Sequence, residues 1–94
     1  MDTKTEEFYE RLKGELEKSA VWPDAYLFKF IVPADSSKVA RIEEAFDGLQ
    51  AVIETRDSST KKFTSVSIRV VMPSAEAIID KYKEMSSIEG IVSL

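Results

Sequence analysis

The order of segments in this 94-residue chain predicts an α+β fold, in which one four-stranded antiparallel sheet carries its helices on a single face. Three observations lead there. Residues 25–32 and 62–71 alternate their side chains with the period of two that belongs to strands. Residues 36–46 and 75–85 repeat apolar positions every three or four residues, which is helical spacing. A polar segment, Asp57-Ser58-Ser59-Thr60-Lys61, joins two strand-like runs and suits a hairpin.

Taken in order, Thr3 with Glu6 three residues later forms a capping box ahead of a helix over Lys4–Ser19. Its apolar stripe is Phe8, Leu12 and Leu16, and its remaining surface is rich in glutamate. Trp22-Pro23 interrupts the helix, because proline drives the residue before it towards extended geometry. Residues 1–21 are therefore a helical extension, and residues 22–94 are expected to form a single domain. The first strand, Ala25–Val32, places Tyr26, Phe28, Phe30 and Val32 on one face and Leu27, Lys29 and Ile31 on the other.

One of Asp35, Ser36 or Ser37 caps the next helix, which runs to about Phe46 and buries Val39, Ile42, Phe46 and Leu49. Asp47-Gly48 ends it, and a strand over Gln50–Arg56 leads through the hairpin into Lys62–Val71. In that strand Thr64, Val66, Ile68 and Val70 face inward, whereas Phe63, Ser65, Ser67, Arg69 and Val71 face outward. Pro73-Ser74 restarts a helix over Ala75–Met85 with Ile78, Ile79, Tyr82 and Met85 inward, and Ile88–Leu94 supplies the last strand. Right-handed strand–helix–strand halves then give the sheet order 4-1-3-2, the ferredoxin-like βαββαβ plait.

The composition narrows the chemistry. Histidine and cysteine are both absent, which removes disulfides, thiolate nucleophiles, most zinc sites and the side chain that ordinarily titrates near neutrality. No calcium loop or phosphate-binding glycine loop is present, so neither a metal nor a cofactor is expected. The net charge of −4 has the wrong sign for general attraction to phosphate backbones, so neither nucleic acid nor membrane is an expected partner. The amino terminus is charged and no apolar run is long enough to span a bilayer, from which a cytoplasmic location is expected.

Function is expected on the sheet face away from the helices. Lys29, Ser65, Ser67 and Arg69 are the candidate binding residues there, suited to a small anionic metabolite, an amino acid or a partner's backbone. The competing assignment pairs Arg69 with Glu54 of the neighbouring strand and leaves the serines to satisfy the sheet. A protein-interaction or homodimeric assembly role through the amino-terminal helix or a sheet edge is the alternative, with that helix also able to cover the open face. An enzyme would have to rely on carboxylates such as Asp35, Glu54 or Asp57, and a non-catalytic role is expected instead. The outward register also lacks the paired aromatics with which single-stranded RNA binders of this fold stack bases, Phe63 alone lying there.

Several segments together resemble a known family. Trp22-Pro23, Tyr26-Leu27-Phe28-Lys29, Ser58-Ser59 leading into Phe63-Thr64-Ser65-Val66-Ser67-Ile68, Tyr82, and Ile91-Val92-Ser93-Leu94 are similar to the YbeD-like family of small bacterial proteins of unknown function. The resemblance implies the same plait, likeness to regulatory ACT domains that bind amino acids at dimer interfaces, and a regulatory role. Two positions depart from the family pattern: Lys61 and Val32 stand where glycines are usual.

Overall fold

The computed structural model describes residues 3–94. Its elements are α1 (Thr3–Ser19), β1 (Asp24–Pro33), α2 (Ser36–Ala45), β2 (Val52–Asp57), β3 (Phe63–Met72), α3 (Ala75–Met85) and β4 (Val92–Ser93). The four strands form one antiparallel sheet in the order β2-β3-β1-β4, which is the order 4-1-3-2 read from the opposite edge. The long central pair β1 and β3 runs in register from Asp24↔Met72 to Pro33↔Phe63.

Alternation decides which face is buried. Phe28, Phe30 and Val32 of β1, with Val66, Ile68 and Val70 of β3, are fully or almost fully buried and share one core with Ile42, Phe46, Ile78, Tyr82, Met85 and Ile88. The helices thus lie on the face formed by the even-numbered residues of both central strands. Fully burying a large apolar side chain is worth about 1.5–3 kcal/mol before conformational entropy is subtracted, so this face supplies most of the stabilisation. Asp35 caps α2 by accepting the Ser37 N–H at 2.9 Å, and Ser74 caps α3 by accepting the Ala77 N–H at 3.1 Å.

Several details differ from the sequence expectation. Helix α1 includes Thr3, so a cap ahead of it falls on residues 1–2, outside the described residues. The α1 residues packed against the core are Tyr9, Leu12 and Leu16, spaced by three and four, while Phe8 remains 56% exposed. Helix α1 sits beside α3, where the Lys83 ammonium lies over the Tyr9 ring at 5.7 Å from its centroid, and Trp22 Nε1 donates to the Leu16 carbonyl at 3.3 Å. It therefore packs on the helical side and leaves the opposite sheet face open. Helix α2 stops at Ala45, which carries Leu49 into an exposed turn rather than the core.

Strand β4 is limited to two residues because the chain after α3 turns first. Ile88 enters the core, and Gly90 takes φ +81 with Pro33 so close that an added Cβ would stand 2.8 Å from its Cγ. Among the described residues no helix is long and apolar enough to cross a membrane.

Candidate functional site

The open sheet face is assembled from residues that alternate with the core positions. The register sets three rows across it: Val52, Arg69 and Leu27; Glu54, Ser67 and Lys29; and Arg56, Ser65, Ile31 and Val92. Opposed residues in neighbouring antiparallel strands have Cα atoms about 4.5–5.5 Å apart, so each row is one strip of adjoining side chains. All four residues singled out from the sequence, Lys29, Ser65, Ser67 and Arg69, lie on this face. Ser67 stands between Lys29 and Glu54, Arg69 between Leu27 and Val52.

The register disfavours the competing assignment, the Arg69–Glu54 pair. Val52 is the residue opposite Arg69, which puts Glu54 on the diagonal, and Lys81–Glu84 is the one ion pair among the described residues. Lys29 and Arg69 are both exposed, and neither head group has a hydrogen-bond partner among the described residues. Ser65 is less available, since its hydroxyl donates to the Arg56 carbonyl at 3.3 Å.

Arg56 is the cation that the sequence reading did not single out. It follows Glu54 by two residues on β2, and that period-two relation was the signal that both share a face. With it the open face carries three cations, Lys29, Arg56 and Arg69, and one anion, Glu54, in a chain whose net charge is −4. Exposed apolar side chains surround them: Leu27, Val52, Phe63, Val71 and Val92. At the hairpin end Ile31, Arg56, Asp57, Ser58, Ser59, Phe63 and Ser65 border a shallow hollow of about 480 Å³.

The hairpin wall of that hollow is built by its own hydrogen bonds. The Ser58 N–H donates to the Phe63 carbonyl at 2.8 Å, and the Ser58 hydroxyl accepts the Phe63 N–H at 3.1 Å. Lys61 takes φ +59, the left-handed conformation for which glycine is usual, and donates its N–H to the Ser58 carbonyl at 2.9 Å. The other departure from the family pattern, Val32, is a fully buried core residue.

The three carboxylates considered for catalysis are placed differently. Glu54 lies on the open face, Asp35 borders a separate hollow on the helical side together with Glu43, and Asp57, at the end of β2, borders both hollows. Hydrogen bonds from the Ser37 hydroxyl and N–H hold Asp35 below its ordinary pKa, which marks a helix cap kept ionised. Asp57 accepts the Thr64 hydroxyl at 3.0 Å.

A family model described as a protein of unknown function, DUF493, matches residues 17–94 and so takes in the whole sheet with α2 and α3. No curated protein and no solved structure matches the chain. The match spans the Phe63–Ile68 segment and the other segments from which the resemblance was drawn, and the chain belongs to this family of unknown function, the YbeD family.

Proposed function

We propose that the protein is a non-catalytic regulatory module, a ferredoxin-like and ACT-like plait that holds an anionic ligand on its open sheet face. The observation that carries this reading is the set of cations without ion-pair partners among the described residues, Lys29, Arg56 and Arg69, on one exposed face of an acidic chain. Cations left unpaired among apolar neighbours attract a carboxylate or phosphate group more strongly than the same cations dispersed in water. Arg69 offers a planar fork suited to two oxygens, Lys29 a movable point charge, and the Ser67 hydroxyl beside Lys29 a further hydrogen bond. Leu27 and Val71 flank them and would receive the apolar part of a small anionic metabolite or amino acid.

Assembly through the amino-terminal helix has less support, because the Tyr9, Leu12 and Leu16 stripe is already engaged within the protein. Thermal unfolding measured against amino acids, dicarboxylates and phosphate esters tests the binding reading. A ligand at a hundred times its Kd stabilises the native state by about 2.7 kcal/mol, and Lys29→Ala with Arg69→Ala should abolish the shift. If no anion of these classes raises the melting temperature, the reading fails.

A further inference from the structure

The outer edge of β2 is unpaired, and its charges are arranged to match their own copy. The Ser58 N–H donates to the Phe63 carbonyl, and backbone groups alternate sides along a strand, so the even positions of β2 face β3. The N–H and C=O groups of Ile53, Thr55 and Asp57 therefore point away from the sheet, on an edge that no strand of the described residues covers. Glu54 and Arg56 flank Thr55 with both side chains on the open face.

We infer that β2 is a homodimer interface, in which two copies pair their β2 strands antiparallel about a two-fold axis at Thr55 to form a continuous eight-stranded sheet. A two-fold through Thr55 places Glu54 opposite Arg56 of the second copy and Arg56 opposite Glu54. Ile53 then meets Asp57 of the second copy, Thr55 meets Thr55, and Asp57 meets Ile53. These three pairs are the ones whose outward-pointing backbone groups exchange hydrogen bonds, about six in all. The two Glu54–Arg56 pairs fall at the alternate positions, where side chains approach most closely.

Charge selects this register over its neighbours. Sliding by two residues in one direction sets Glu54 against Glu54, and in the other direction Arg56 against Arg56; a one-residue slip turns the core face of one copy to the open face of the other. Glu43 and Asp57 border the hollow that Thr55 lines on the helical side, so negative charge stands beside the edge there. The interface shares Arg56 with the proposed ligand face but uses neither Lys29 nor Arg69, so Lys29→Ala with Arg69→Ala should leave the dimer intact.

Sedimentation or native mass spectrometry of the full chain tests it through charge reversal. Wild type should dimerise at micromolar concentrations, and Glu54→Arg or Arg56→Glu alone should weaken the dimer at least about tenfold, because each variant sets like charges across both pairs. An equimolar mixture of the two variants should recover dimers, as heterodimers in which every pair is again complementary. Thr55→Pro removes an N–H that lies outside the β2–β3 ladder, so it should stay folded by circular dichroism and be monomeric. A wild-type monomer at several hundred micromolar, a dimer indifferent to either reversal, a mixture that stays monomeric, or a dimeric Thr55→Pro variant would each overturn the inference.

Discussion

Tyr82 shows how one side chain ties the fold to pH. Its hydroxyl shares a 2.8 Å hydrogen bond with that of Tyr26, and burial, with that bond second, pushes its pKa upward. The native state thus keeps a proton that the unfolded chain releases once pH passes about 10, the ordinary tyrosine value. Stability is full below that value and falls above it, by up to about 1.4 kcal/mol per pH unit for this group. Denaturant titrations between pH 9 and 11, a window of about one unit either side of that value, should show a steeper decline for wild type than for Tyr82→Phe; parallel declines would mean that Tyr82 titrates alike in both states. Asp35 acts in the opposite range, since its lowered pKa contributes stability that is lost as acid protonates it. Both inward positions were legible from periodicity, but the hydroxyl pair was not, because it joins residues 56 apart in sequence.

Among the elements, the 57–63 hairpin carries the clearest local conflict. Lys61 occupies a left-handed conformation that costs a side chain with a Cβ about 1–2 kcal/mol, partly offset because glycine loses more entropy on folding. Lys61→Gly should therefore raise stability by about 0.5 kcal/mol, read as a higher denaturant midpoint at unchanged slope. An equal or lower midpoint would show that this lysine is not strained. The departure at this position was visible in the sequence, and its backbone angle was not. Helix α1 shows the converse limit: Phe8, Leu12 and Leu16 form a plausible stripe, yet α3 lies against Tyr9, Leu12 and Leu16. A four-residue spacing identifies a face only to within one neighbouring position, and the docking partner chooses between Phe8 and Tyr9.

Across the whole molecule, stability is unevenly distributed. Helix α1 contributes no buried residue, whereas β1 and β3 share a long ladder over a core of fully buried aromatic and branched side chains. Local opening costs less where fewer apolar contacts must be broken, so α1 amides should exchange with solvent at a lower opening free energy than those of β1 and β3. Native-state hydrogen exchange resolved by residue checks this; uniform protection across α1 and the central strands would mean that they unfold as one unit.

Alternation in Tyr26–Val32 and Thr64–Val70 was sufficient to determine which face of the sheet is buried, because a strand offers its side chains only two directions. The helical stripes and the polar hairpin settled the element order, and the absence of histidine and cysteine limited the chemistry. Tertiary structure decided which residues stand opposite one another. Register set Val52 rather than Glu54 across from Arg69, brought Arg56 onto the face of Lys29, and left the outward groups of Ile53, Thr55 and Asp57 without a strand to pair with among the described residues. Periodicity specifies the face a side chain occupies, but the neighbour across the strand follows from turn lengths and packing, to which residues far apart in sequence contribute together.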